Sequence, residues 1–314
     1  MKQILVTGSL AFDYIMDFPG NFTDHINPEF AHKINVSFLI NKLKKERGGT
    51  AGNIAYTLAL LNTSSSILGT VGEDFEQYSN FLSQKKINIS NIKVIKNEFS
   101  AQAYIMTDKK HDQIIAFYPG AMNYSHTLTP RVKKIKPDFL LITPSDSKGM
   151  IDLVIQCKKL HIPYMYDPSH RITVLSDEEI LQGISGAKIF VGNDYEYEMI
   201  KKRLKFLDKD FLKHAEIVII TKGAEGSEIY TKDQHISIPT IQTKEVLDPT
   251  GAGDAYRAGF MAGYTRGFTL KTCGQMGTVA ATYTIEKYGT QNHTFTISQF
   301  KTRYRKAFKE VIEL

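Results

Sequence analysis

Two glycines, a proline and two aspartates fall within seven residues at Asp248-Pro-Thr-Gly-Ala-Gly-Asp254, after the apolar pair Val246-Leu247 and before a run of good helix formers. Gly251-Ala252-Gly253 therefore sits where a loop enters a helix. Glycine lets the backbone approach a ligand closely, and the unpaired N–H groups and dipole of a helix start attract an anion. A transferring phosphoryl group suits such a hole. The carboxylate of Asp254, one step past the glycines, is placed to take the proton from a hydroxyl that attacks a γ-phosphate, and the helix start favours its ionised form. Helix capping alone would explain the aspartate but not the glycines, Pro249 and Thr250 with it.

Four other loops carry polar groups suited to the same task. Arg47-Gly48-Gly49-Thr-Ala-Gly52-Asn53 runs into a helix expected over 54–61. Gly49 would allow close approach of a polyhydroxylated ligand, and the Asn53 amide can both donate to and accept from its hydroxyls; a simple tight turn is the other reading. Gly8-Ser-Leu-Ala-Phe-Asp13 offers a carboxylate that can accept from vicinal hydroxyls. In Asn193-Asp-Tyr-Glu196 an amide and a carboxylate at i and i+3 share one face of a starting helix. They would hold the water shell of Mg²⁺, or close an ordinary capping box. Thr221-Lys-Gly223-Ala-Glu-Gly226 places a hydroxyl and two glycines where backbone could contact adenosine phosphates.

All five loops follow expected strands, at the edge where α/β sheets bind ligands. From about residue 130, apolar runs at 138–143, 163–166, 187–191 and 216–221 alternate with helical stretches at 150–160 and 196–213. An edge hairpin follows at 228–230 and 235–238. Strand 4–7 opens the sheet. Segments 12–18, 33–40, 101–107 and 113–118 instead alternate apolar and polar residues with no helix between them, which predicts a small antiparallel lid beside a doubly wound, mostly parallel α/β core. The expected division is a core of 1–12, 41–100 and 119–314 with a lid of 13–40 and 101–118. Helices are expected at 254–264, 270–288 and 297–312, the last with a core-facing stripe of Phe300, Tyr304, Phe308 and Ile312.

Composition narrows the function. The 314 residues are 42% hydrophobic, carry a formal charge of +6 and include two widely spaced cysteines, Cys157 and Cys273. That excludes a disulfide framework or zinc cluster. No apolar stretch reaches the ~18 residues of a membrane helix, so a cytoplasmic protein without a membrane partner is expected. The densest basic run, 42–47, lacks interleaved aromatics, so no nucleic-acid partner is expected. A P-loop is ruled out because Lys222 precedes its glycine.

Gly48-Gly49-x-x-x-Asn53, Asn193-x-x-Glu196 and Asp248-Pro-Thr-Gly-Ala-Gly-Asp254, in that order, closely resemble the ribokinase (PfkB) family of carbohydrate and nucleoside kinases. The resemblance spans nearly the whole chain. It implies ATP with Mg²⁺, in-line transfer, Asp254 as base and the amides of Gly251, Ala252, Gly253 and Asp254 as anion hole. It further assigns Asn193 and Glu196 to the magnesium and phosphate network, Thr221, Gly223 and Gly226 to the nucleotide, and Asp13, Gly49 and Asn53 to the substrate. Asp254-Ala-Tyr-Arg-Ala-Gly-Phe260 looks most like bacterial and archaeal nucleoside (adenosine) kinases, which implies phosphorylation of a 5′-hydroxyl. Lid side chains expected to face a purine are Phe12, Met106, Gln113, Phe117 and Met122; His170 stands where a glutamine or other polar residue is usual. A sugar or sugar-phosphate kinase, and an idle nucleotide-binding homologue, are the alternatives. A monovalent-cation requirement and a homodimer formed through an exposed lid edge stay open.

Overall fold

A computed structural model describes residues 3–25, 36–110, 112–243 and 245–314. In chain order the strands are β1 (Ile4–Thr7), β2 (Ala11–Asp17), β3 (Lys42–Gly48), β4 (Ser65–Val71), β5 (Asn88–Val94), β6 (Ala101–Thr107), β7 (Gln113–Tyr118), β8 (Phe139–Ile142), β9 (Tyr164–Tyr166), β10 (Ala187–Asn193), β11 (Ala215–Thr221), β12 (Ser227–Tyr230) and β13 (His235–Ile238). The helices are α1 (Thr50–Leu60), α2 (Glu76–Gln84), α3 (Val132–Ile135), α4 (Ser147–Leu160), α5 (Asp177–Ile184), α6 (Asp194–Leu204), α7 (Asp208–His214), α8 (Ala252–Thr265), α9 (Leu270–Ile285) and α10 (Ile297–Phe308).

Nine strands form one sheet in the order β13-β12-β11-β10-β9-β8-β1-β4-β5, parallel except for the β11-β12-β13 edge. β1 and β8 are uninterrupted apolar runs because helices cover both faces of the sheet. Ile4, Val6, Phe139 and Leu141 pack on the side of α1, α8 and α9, while Leu5, Leu140 and Ile142 pack on the side of α4 and α5. The α10 stripe faces the core as expected: Phe300 and Tyr304 are fully buried, and Ile312, beyond the end of the helix, still packs there.

A second, four-stranded sheet has the order β3-β2-β6-β7. Its outer pairings are antiparallel and its central β2–β6 pairing is parallel. The third strand is not where alternation put it. Residues 36–40 have no regular structure, 33–35 lie outside the described residues, and the strand is Lys42–Gly48, past the expected boundary at residue 40. Lys-Leu-Lys-Lys-Glu-Arg-Gly hides a strand because an edge strand needs no apolar face and gains from charge that blocks further pairing. The unit β4-α2-β5 also lacks a clear signal, since β4 begins with two buried serines. The expected helix 196–213 is two helices, broken where Lys205 takes a left-handed φ of 54°. Cys157 and Cys273 are free and buried, and no described helix is long and apolar enough to cross a membrane.

Candidate active site

Helices α1 and α8 lie side by side, and each starts through a glycine with positive φ, Gly49 at 89° and Gly251 at 78°. A Cβ on Gly49 would stand 2.5 Å from the Ser9 carbonyl oxygen, and one on Gly251 2.9 Å from the Thr290 methyl. The two helix starts then diverge. That of α1 is used internally: the Ser9 hydroxyl accepts from the Thr50 amide at 3.1 Å, and the Ser9 carbonyl accepts from Ala51 at 3.1 Å. At α8 the Ala252 amide donates to Pro249 O at 3.2 Å, while those of Gly251, Gly253 and Asp254 meet no acceptor among the described residues. The open donors of the glycine loop are thus three, Ala252 being tied up. Asp248 secures the loop by accepting from the amides of Thr250 and Gly289, both at 2.9 Å.

Asn53 and Asp254, 201 residues apart, meet here: Asn53 Nδ2 donates to Asp254 Oδ2 at 2.8 Å. Asn53 Oδ1 in turn accepts from Thr290 Oγ1 at 2.7 Å and Gln291 Nε2 at 2.9 Å. Gln291 also donates to the Tyr78 hydroxyl, which donates to Gly48 O at 2.9 Å. This chain fixes the Asp254 carboxylate. Burial raises its pKa above the ordinary aspartate value, with Arg257 and the Asn53 bond opposing. Burial therefore outweighs the helix start, and the Asp254 carboxylate holds a proton more tightly than its position in the sequence suggests.

Asp13 lies on β2, half-buried, and its carboxylate has no donor among the described residues. Burial, then the negative charges of Asp248, Glu46 and Asp254, push it up to about 6. Register puts Asp13 beside Glu46 and Ala103, Ile15 beside Ile105, and these beside Phe117 and Ile115 on β7. One face of the small sheet therefore joins Asp13 to Ile15, Ile105, Ile115 and Phe117. Phe12 and Met106, expected on that face, lie on the other; Phe12 packs on Phe75 and Tyr78. Met122 is buried against Ala11 and Ala101. Gln113 shares the Asp13 face but lies four residues beyond Phe117, about 13 Å away, exposed and donating to Thr107 Oγ1.

Asn193 and Glu196 close a reciprocal capping box on α6: Asn193 Oδ1 accepts from the Glu196 amide at 2.7 Å, and Glu196 Oε2 from the Asn193 amide at 2.9 Å. Glu196 Oε1 has no partner among the described residues and is reached by solvent, so the residue caps and still offers an oxygen outward. Thr221 stands in register with Asn193 at the neighbouring strand end. Gly223, with open space at its Cα, and Gly226 frame the following turn, closed by the Lys222 amide on Gly226 O at 2.8 Å. His170 follows the β9 end with its side chain open to solvent; the partial desolvation of its ring by neighbouring atoms, then Arg171, lowers its pKa, and Glu196 opposes.

The sequence does not single out Tyr78, Thr290, Gln291, Asp167 or Arg257 in the site. Arg257 and Asp167 form a buried ion pair at 2.6 Å, with Asp254 and Glu196 close enough to act on both. Burial pushes the Asp167 carboxyl up to about 7 against the pull of Arg257. A usable signal existed for Arg257 alone, which falls one helical turn after Asp254 on the same face.

Residues 1–296 match the pfkB family carbohydrate kinase profile, and the chain belongs to that family. It is a kinase, a phosphotransferase with an alcohol acceptor. A nucleoside kinase of Methanocaldococcus jannaschii is 33% identical over 311 residues, 98% of each chain. The Burkholderia thailandensis nucleoside kinase in complex with inosine superposes with a TM-score of 0.89 at 31% identity, covering 98% of this chain and 99% of that one. Its complex with ADP-inosine gives 0.87 at 32%, covering 99% and 97%.

Proposed function

We propose that the protein transfers the γ-phosphate of ATP to the 5′-hydroxyl of a nucleoside. The observation that carries this reading is the open carboxylate of Asp13, next to an apolar sheet face, opposite a base held by Asn53. Asp13 accepts from the ribose hydroxyls, and Ile15, Ile105 and Phe117 cover the base, a mostly apolar surface with few polar anchors. The substrate hydroxyl gives its proton to Asp254 as its oxygen bonds to the γ-phosphorus. The bond from phosphorus to the β–γ bridging oxygen breaks, and ADP leaves. The amides of Gly251, Gly253 and Asp254 receive the charge on the transferring group. Gly49 lets α1 start close beside β2, and Thr221, Gly223 and Gly226 hold the nucleotide.

The solvent-facing oxygen of Glu196, with Asn193 beside it, fits the water shell of Mg²⁺, which when bound offsets triphosphate charge. Replacing potassium by sodium in the same assay tests a monovalent cation. Both buried cysteines being free thiols suits the cytoplasm. The lid edges differ: β3 carries Lys42, Lys44 and Lys45, whereas β7 exposes Ile114, Ile115, Phe117 and Tyr118. We place a homodimer contact at β7, to be checked by sedimentation.

The deciding test is a panel of nucleosides and sugars with ATP and Mg²⁺. Purine nucleosides are expected to give the highest kcat/KM; turnover of fructose 6-phosphate without any nucleoside would sink the assignment.

A further inference from the structure

Arg257 is 6% exposed, the only buried lysine or arginine among the described residues. Such residues are rarely buried without a partner, and burial of a charge is costly unless a specific contact repays it. The partner here is Asp167, 1% exposed at the end of β9, with Oδ2 2.6 Å from Arg257 Nε. The guanidinium folds back toward the start of α8, as long helical side chains do. A Cβ on Gly253 would stand 2.5 Å from its Nη1. A fixed positive charge therefore lies against Gly253, in the loop that carries the three open amides. The carboxylates Asp167, Asp254 and Glu196 all act on it. Gly253 thus has a second reason to be glycine, since any side chain there would displace the guanidinium.

We propose that Arg257, held by Asp167, is a positioning residue of phosphoryl transfer: its guanidinium supports the 251–254 loop from behind and offsets the carboxylates as the phosphates arrive. The proposal rests on Asp254 being the base. It acts on the transition state, where charge moves onto the loop, more than on binding.

The test compares Arg257→Met, Arg257→Lys and the double variant Asp167→Asn/Arg257→Gln with wild type, measuring kcat, both KM values and thermal unfolding. The double variant removes both charges at once and leaves an amide pair, so it reports on charge even if Arg257→Met does not fold. Expected are a kcat about 100-fold lower in Arg257→Met and in the double variant, as for loss of one preorganised electrostatic group. KM values should stay within about threefold, and Arg257→Lys should recover kcat about tenfold over Arg257→Met. A double variant with wild-type kcat, or losses that merely follow the folded fraction, would overturn the proposal and leave the pair as scaffold. Asp254→Asn run in parallel separates the two readings. If it is active, the base assignment fails and this inference with it; if it is inactive while the double variant is active, only this inference fails.

Discussion

The α1–α8 junction and the small sheet, which the proposed function assigns to one substrate, are built on opposite terms. At the junction, Asn53, Thr290, Gln291 and Tyr78 hold one another and aim the Asn53 amide at the Asp254 carboxylate. On the sheet, Asp13 has no donor among the described residues, and Ile115 and Phe117 beside it are 57% and 47% exposed. Preorganised hydrogen bonds suit the chemical step, whose rate falls steeply when reacting groups are misplaced. A loosely buried apolar face suits grip, which tolerates adjustment and has to be undone at product release. Changes at the junction should therefore appear in kcat, and changes on the sheet in KM.

The largest effect is expected from Asp254→Asn, with turnover lowered by about 10²–10⁴-fold and ATP affinity roughly kept, as seen in steady-state kinetics and nucleotide titration. Next comes Asn53→Ala, which frees the carboxylate without removing it. Single-turnover rates should fall by roughly 10–100-fold, and a loss confined to nucleoside KM would move Asn53 from the junction's account to the sheet's.

Asp13→Asn should raise nucleoside KM by roughly 10-fold or more, since a hydrogen bond to a charged acceptor is lost, with kcat changed less. In the native enzyme the same KM should climb as pH falls through about 6, where Asp13 takes up a proton. Stability moves the other way. Because the folded pKa lies above the ordinary value of 3.8, ionising Asp13 costs the fold, so its contribution is intact below pH 4 and is lost as pH rises through 6. Asp13→Asn should therefore stabilise the protein at pH 8 by on the order of 1–2 kcal/mol, allowing for partial exposure, and by nothing at pH 4, as read from thermal melts at both. The smallest effect is expected from Phe117→Ala, a nucleoside KM roughly 3–10-fold higher with kcat and melting temperature unchanged. A fall in kcat instead would show that the sheet takes part in the step itself.

Local signals explain which parts were legible. Gly49 and Gly251 are needed by the backbone where they stand, so a glycine running into a helix marks both loops from sequence alone, although the strand before Gly49 was not expected and, against expectation, no strand directly precedes Gly251, β13 ending at Ile238. The Asn193–Glu196 pair is equally local: it closes the capping box on α6 and leaves one carboxylate oxygen without a partner among the described residues. Edge strand β3 was hidden because lysines at an edge answer to solvent and not to a core.

The order of the five loops, their glycines and the place of Asp254 in the first turn of α8 were determined by the sequence, because each depends on backbone conformation within a few residues. What surrounds that carboxylate was decided only by tertiary structure. Asn53 reaches it across 201 residues, Thr290 and Gln291 reach Asn53 across 237 and 238, and Arg257 finds Asp167 at the end of a strand 90 residues earlier. Such partners are chosen by the packing of the parallel sheet and its helices, and no spacing along the chain records them.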